Sequence, residues 1–386
     1  MNTIKDIDIK NKTLVIRCDF NVPIKNGVIT DDTRIVKSLD TIKYALKNNG
    51  KVILLSHLSK VKTKDDLKNT LKPVALRLSE LLKQQIYFIE NNENADLKSF
   101  IEKIDNGNII LLENTRFADL IGKRESNCDL KLAAFWADLG DVFVYDAFGA
   151  AHRNHASTGG IVEFLPTVIG FLMEKELLAL NLLQNPEKPF IGIMGGAKID
   201  DKILMINQLL TLVDKLLIGG GLAVPFLKAL DYQVNYDNDE HIALCRDLLQ
   251  RYANKIILPV DLLVDNNNQV LEKDIENLSN EKIIDIGKKT NKLFAENLEK
   301  AKVIFWNGPM GIIENEISAR GTNNLLLDLS KMPAKTIIGG GDTGVMIKDN
   351  HLENAFYHVS TGGGATLNYI EIGTLPVIEI IKAKDK

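Results

Sequence analysis

Between Phe190 and Lys202 the chain reads FIGIMGGAKIDDK. The apolar run Phe190, Ile191, Ile193, Met194 predicts a buried strand that breaks at Gly195-Gly196. Ala197 to Leu210 predicts a helix with Ile199, Ile203 and Ile206 on one face. A strand that ends in glycines and turns into a helix offers bare backbone N–H groups and the positive end of a helix dipole at one place. Lys198 and Lys202 are four apart, so both fall on one side of that helix start. Such a site suits a polyphosphate; an ordinary strand–turn–helix with two solvated lysines would read the same. The pattern G-x-x-x-x-G-K-[ST] occurs nowhere in the chain.

Repetition favours the ligand site. KLLIGGGLA (215–223), KVIFWNGPMG (302–311), KTIIGGGDTG (335–344) and YHVSTGGGAT (357–366) are also short apolar runs that end in glycine or Asn-Gly-Pro. In a parallel sheet the carboxyl ends of neighbouring strands share one edge, where ligands bind. Five glycine-ended strands therefore predict one shared floor that something approaches closely. Gly339 to Gly344 also matches G-x-G-x-x-G, the fingerprint of dinucleotide-binding dehydrogenases. Two features oppose that reading. The acidic residue expected about twenty positions later is replaced by Ser360-Thr361-Gly362-Gly363-Gly364. Asp342 also lies within the loop, where it would repel a pyrophosphate unless a cation stood between, as Mg²⁺ does beside nucleotide phosphates. Its other reading is a helix N-cap.

The N-terminal half carries different chemistry. It holds six of the nine arginines and a single Gly-Gly pair. Predicted strands from Lys12, Lys51, Asn108 and Asp141 end in RCDFNVP, SHLSK, ENTRF and DAFGAAHRNHAS, with helices predicted over 33–50, 73–84 and 129–139. This alternation predicts a parallel sheet. It places Arg17, Asp19, Asn21, Arg34, His57, Lys60, Arg116 and Arg153 at or just past strand ends, apart from Arg34 in the first turn of a helix. A cation there opposes the helix dipole, so it serves a ligand better than the helix. Arginine forks suit carboxylates and phosphates. His57 and His152 fit either a ligand site or a structural role. No nucleophile–base grouping stands out.

The chain has 386 residues, long enough for two or three domains, and a net charge of −4, which argues against a general nucleic-acid or anionic-membrane binder. Cys18, Cys128 and Cys245 are scattered and form no CxxC, which fits a reducing compartment without a zinc site. The charged start MNTIKDIDIKNK and the lack of a long apolar run predict a soluble cytoplasmic protein. Ile169 to Leu183 is greasy on more than one side and reads as a connecting helix ended by Pro186 and Pro189; the apolar tail 375–381 implies docking.

VIRCDFNVP (15–23), SHL (56–58), LLENTRF (111–117), DAFGAAHR (146–153), GGAK followed by DK (195–202), GGG (219–221), WNGPMG (306–311), GGGDT (339–343) and VSTGGGA (359–365) follow the order found in phosphoglycerate kinases, which the whole chain resembles. The resemblance implies two doubly wound parallel-sheet, Rossmann-like α/β domains facing across a cleft with a helical hinge. Residues 1–168 would bind phosphoglycerate, with the tail 375–386 returning to them. Residues 169–185 would form the interdomain helix, and 186–374 would bind nucleotide. The implied reaction moves one phosphoryl group between 1,3-bisphosphoglycerate and ADP, giving 3-phosphoglycerate and ATP, in line and after hinge closure.

By the same resemblance Asp19, Asn21, Arg34, His57, Leu58, Ser59, Lys60, Arg116 and Arg153 would hold the phosphoglycerate. Gly196, Lys198, Lys202, Gly220, Asn307, Pro309, Glu314, Gly340, Gly341, Asp342 and Thr343 would hold the nucleotide, with Glu314 at its ribose and Mg²⁺ on Asp342. Arg34, Lys198, Gly341 and Gly364 would act on the transferring group. The implied protein is a monomer with small-molecule substrates and no nucleic-acid or membrane partner. Attacking oxygens already ionised near neutral pH need no base, so catalysis reduces to positioning and charge neutralisation. The alternative is a non-catalytic nucleotide-binding relative.

The sequence departs from the family in three places. SHLGRP reads SHLSKV, with Ser59 for glycine and Lys60 for arginine. DIGPKT reads DIGKKT at 285–290. EGK-x-LPG reads EIGTLPV at 371–377, where Ile372, Gly373 and Val377 break the pattern.

Overall fold

The computed structural model describes residues 1–200, 202–266 and 269–384. The chain divides into two compact units, Met1–Leu178 with Thr374–Lys386, and Ala179–Gly373. The last two residues of the tail lie outside the described residues.

The first unit runs β1 (Thr13–Cys18), β2 (Ile24–Lys25), β3 (Val28–Ile29), α1 (Thr33–Lys47), β4 (Lys51–Leu55), α2 (Lys72–Leu82), β5 (Ile86–Ile89), α3 (Leu97–Glu102), β6 (Ile109–Leu112), α4 (Leu130–Ala137), β7 (Val142–Asp146) and β8 (Thr167–Ile169). Its main sheet has the order β5-β6-β4-β1-β7-β8, with every neighbouring pair parallel. β4, β6 and β7 are buried at every position, as parallel strands covered on both faces must be. The strand order reverses direction between β1 and β7, which brings the RCDFNVP and DAFGAAHR loops side by side. The helix predicted to end at Gly50 stops at Lys47, and Asn49 rather than Gly50 takes the left-handed conformation that ends it (φ 56°).

α5 (Phe171–Gln184) begins in the first unit and ends in the second. Leu172, Met173, Glu176, Leu177, Ala179, Leu180 and Leu183 are all buried, which accounts for its broad apolar surface.

The second unit continues with β9 (Phe190–Met194), α6 (Ile203–Leu212), β10 (Lys215–Ile218), α7 (Ala223–Ala229), α8 (Asp239–Arg251), β11 (Ile256–Ile257), β12 (Asp261–Asn266), β13 (Gln269–Asp274), β14 (Lys282–Ile286), α9 (Lys288–Leu298), β15 (Val303–Asn307), α10 (Arg320–Leu329), β16 (Lys335–Gly339), α11 (Gly341–Asp349), β17 (His358–Val359) and α12 (Gly363–Ile372). Its parallel sheet has the order β11-β10-β9-β15-β16-β17. All five glycine-ended strands are thus consecutive in one sheet, as predicted. The chain lays strands outwards from β9 on one side and from β15 on the other, the doubly wound arrangement whose ligand site lies at the switch. An antiparallel sheet β13-β12-β14 is added beside it; periodicity does not flag this stretch. The last helix, α13 (Pro376–Lys384), returns to the first unit and packs on the turn at 156–160.

The DIGKKT departure has a local cause. Lys288 opens α9, where proline would suit, but its N–H donates to the Glu272 carboxylate at 2.7 Å, a bond that proline cannot make. Within the same motif Asp285 is buried. It accepts from the backbone N–H groups of Ile286 (2.9 Å) and Gly321 (2.6 Å), and burial pushes its carboxyl up to about 7. Burial likewise raises Asp146 to about 6. A carboxyl whose folded pKa is raised contributes stability that is present below its unfolded value and lost as pH rises through the folded one. Asp146 therefore withdraws stability between about pH 4 and 6, and Asp285 between about pH 4 and 7. Asp285→Asn should flatten the fall in urea midpoint between pH 5 and 8 relative to the parent. An unchanged pH profile would show that Asp285 ionises normally.

Candidate active site

In the second unit a pocket of about 350 Å³ opens at the switch between β9 and β15. Gly196, Ala197, Lys198 and Lys202 line it from the loop after β9. Asn307, Gly308 and Pro309 come from the end of β15, Gly340, Gly341 and Asp342 from the start of α11, and Gly363 and Leu367 from α12. Ala197, Gly308, Gly363 and Leu367 were not singled out by sequence. Ala197, Gly308 and Gly363 sit in the GGAK, WNGPMG and VSTGGGA motifs, but nothing marks Leu367 apart from other apolar helix residues.

The glycines allow close backbone layering. Gly195 N–H donates to Asn307 O (2.9 Å), Gly196 N–H to Pro309 O (2.8 Å) and Leu222 N–H to Gly196 O (3.0 Å). Gly340 has φ +102°, a conformation only glycine adopts readily. Gly220 is buried beneath this layer, where a Cβ would stand 3.0 Å from Pro309 O and 3.1 Å from Gly196 N. It therefore supports the floor and does not line the pocket.

The helix expected from Ala197 begins only at Ile203. Lys198 thus lies in an exposed loop, with no hydrogen bond or ion pair among the described residues. Lys202 is the N-cap residue, and its ammonium donates to Gly195 O at 2.5 Å. The two lysines do not share a helix face, because the glycine loop runs further before the helix closes. Asp342 is not an N-cap: Gly340 holds that position, and the exposed Asp342 carboxylate sits in the first turn of α11. Thr343 is buried with its Oγ1 unpartnered. Glu314 is exposed, and neither it, Thr343 nor Gly364 is among the pocket residues.

In the first unit the strand ends gather cations. Arg34 donates to both oxygens of the buried Asp19 carboxylate, at 3.1 and 3.0 Å. Asp19 Oδ1 also accepts the Asn21 N–H (3.2 Å), and Asn21 Oδ1 accepts the Ser59 N–H (2.9 Å), which fixes the SHLSK loop. Arg116 pairs with Asp119 at 3.0 Å and contacts Ser126, while its Nε is buried without a partner. Arg153 and Lys60 are exposed, and neither side chain is paired among the described residues. Leu58 is buried and gives its N–H to Asn114 (3.0 Å), so its side chain serves packing. Desolvation, then Arg17, Arg116 and Arg34, holds His57 well below the usual histidine range. Desolvation, then Arg116, Arg17 and Arg153, takes His155 down to about 3. His57 and His155 are therefore neutral, and the positive field there belongs to the arginines.

Ser59 has φ +57°, which explains why glycine suits this position. The left-handed conformation costs an L-residue about 1–2 kcal/mol. Ser59→Gly is expected to raise stability by about 0.5–1 kcal/mol in denaturant unfolding. No gain would mean that a local contact offsets the strain.

Neither fold nor site carries a dedicated metal cage: among the described residues no group of three His, Cys, Asp or Glu side chains could hold a metal. No helix there is long and apolar enough to cross a membrane.

Residues 4–372 match the family described as phosphoglycerate kinase. The chain is 46% identical over 391 residues to the phosphoglycerate kinase of Macrococcus caseolyticus, and 46% identical over 395 residues to that of Enterococcus faecalis. Each alignment covers 99% of both chains. The structure of phosphoglycerate kinase from Coxiella burnetii is similar with a TM-score of 0.86 at 36% identity, covering 100% of this chain and 99% of that one. That from Pyrococcus horikoshii gives 0.89 at 31%, with the same coverage.

Proposed function

The chain belongs to the phosphoglycerate kinase family and catalyses transfer of a phosphoryl group between 1,3-bisphosphoglycerate and ADP, and from that premise we propose which of its residues perform the reaction. The pocket at the β9/β15 switch takes the nucleotide; the arginine-rich strand ends of the first unit take the phosphoglycerate. The observation that carries this division is the separation of chemistries. Glycine backbone, Lys198, Lys202 and Asp342 meet in one unit, and Arg34, Arg116, Arg153 and neutral His57 in the other.

ATP and Mg²⁺ use follows from the family. Asp342 is the carboxylate that fits Mg²⁺: it is exposed at the pocket, and its helix offers no N-cap duty to compete. One carboxylate with substrate phosphates is the usual way this ion is held, and when bound it neutralises phosphate charge. Lys202, anchored on Gly195 O, holds the nucleotide phosphates, with Gly196, Gly340 and Gly341 offering close backbone approach. Asn307 and Pro309 complete that wall, Thr343 stands behind it, and Glu314 takes the ribose.

Lys198 is free to follow the transferring phosphoryl, aided by Gly341 and Gly364. Arg34, oriented by Asp19, is the cation the first unit brings to the same group. Asn21, Ser59 and Lys60 shape the loop around the phosphoglycerate, whose phosphate Arg116 and Arg153 bind. Substrates carried on separate units must be brought together before in-line transfer, so domain closure belongs to the cycle. The expectation of a monomer is kept; three free thiols support a reducing, cytoplasmic setting.

Arg116→Ala tests the division. The KM for 3-phosphoglycerate should rise about 10–100-fold, as for a lost charged hydrogen bond, with the KM for Mg-ATP unchanged. Equal rises in both would overturn it.

A further inference from the structure

Behind the phosphoglycerate residues runs a buried polar chain that the proposed chemistry does not use. Glu125 is fully buried. Its Oε2 accepts the Ser157 N–H at 2.9 Å, and its Oε1 accepts the Ser157 hydroxyl at 2.5 Å. With its proton given to Glu125, the hydroxyl oxygen accepts from Arg17 Nε at 2.9 Å. Arg17, also fully buried, gives Nη1 to Cys18 O and directs Nη2 at His57 Nδ1, 3.2 Å away. Every hydrogen-bonding group on a guanidinium is a donor. His57 Nδ1 must therefore be the acceptor and carries no proton. A neutral imidazole then has its proton on Nε2, which makes no hydrogen bond to the described residues on this partly exposed side chain.

We propose that Glu125 and Ser157 are positioning residues that, through Arg17, fix His57 as the neutral Nε2–H tautomer. His57 then presents one directed hydrogen-bond donor to the substrate and adds no charge. The geometry is directional at each link: Glu125 only accepts, Ser157 relays, Arg17 only donates, and His57 is left with one outcome. The field acts the same way, since Arg34, Arg116 and His155 also surround the ring and disfavour a second proton. Glu125 offsets the charge of a fully buried arginine, which would otherwise be costly. That the Nε2–H meets phosphoglycerate rests on the functional reading above; the tautomer itself does not.

The test has two parts. Long-range ¹⁵N–¹H correlation of ligand-free protein at pH 7 should show His57 with an unprotonated Nδ1 and a protonated Nε2. An Nδ1–H tautomer or an imidazolium would overturn the proposal. In Glu125→Gln one of the two Ser157 bonds faces an amide NH₂ and is lost. The Nδ1–H form should then become populated, and the KM for 3-phosphoglycerate should rise about tenfold with the KM for Mg-ATP unchanged. Ser157→Ala, which removes a single hydroxyl, should do the same and serves where Glu125→Gln does not fold. Parent-like His57 spectra in a folded variant would overturn the positioning role. Should His57→Ala leave both KM values unchanged, the substrate contact fails while the tautomer stands.

Discussion

Lys198→Ala should lower turnover of Mg-ATP with 3-phosphoglycerate by about 10²–10³-fold, the usual loss when one preorganised donor to a developing negative charge is removed. ATP affinity should change little. Lys198 is exposed in the loop after β9 and unpaired among the described residues, so nothing in the fold relies on it. Lys202, held by Gly195 O, remains to bind phosphates. The loss should therefore fall on kcat, the signature of an interaction made mainly in the transition state. Steady-state kinetics with ATP titration checks this. Turnover within a few-fold of the parent would remove Lys198 from the transfer step.

Gly195→Ala should cost about 1–3 kcal/mol of stability and raise the KM for ATP tenfold or more. A Cβ there would lie 2.2 Å from Pro309 O and 2.7 Å from Gly308 O. Both are backbone atoms and cannot swing aside, so the ends of β9 and β15 must separate and strain the bonds that layer the pocket floor. Gly341→Ala is the control. Its Cβ would meet nothing within 4 Å, so the fold should tolerate it and any loss must come from what occupies the pocket. Urea unfolding with ATP titration separates the two. Parent-like behaviour of Gly195→Ala would show that the strand ends yield more easily than the distances imply.

Much of this was legible in the sequence because glycine is a geometric requirement. Five apolar runs ending in glycine predicted five neighbouring strand ends, and the sheet has them. The start of α6 was not legible. Ile199, Ile203 and Ile206 satisfy helical spacing, but spacing cannot say where the first helical hydrogen bond closes, and the glycine loop continued past Lys198. The alternative reading of Asp342 as a helix N-cap did not hold, because Gly340, with positive φ, takes the capping position that aspartate ordinarily fills. The Glu125–Ser157–Arg17 chain was invisible because its members are 140 residues apart at the widest. Only the pairing of β1 with β7 brings those loops together. The antiparallel sheet went unseen because its strands mix charged and apolar residues without clean alternation.

The path of the chain also has a consequence for how the protein is made. The second unit is an insertion in the first, which is complete only when α13 docks, Val377 N–H reaches Ala151 O at 3.3 Å and Val377, Ile378 and Ile381 are buried. On a ribosome the tail emerges after the whole of the second unit. The second unit therefore has all its residues, and can close its own core, while the first still waits for the helix that covers the 156–160 turn. The order of maturation runs against the order of synthesis, and the first unit is the one that a chaperone would find unfinished.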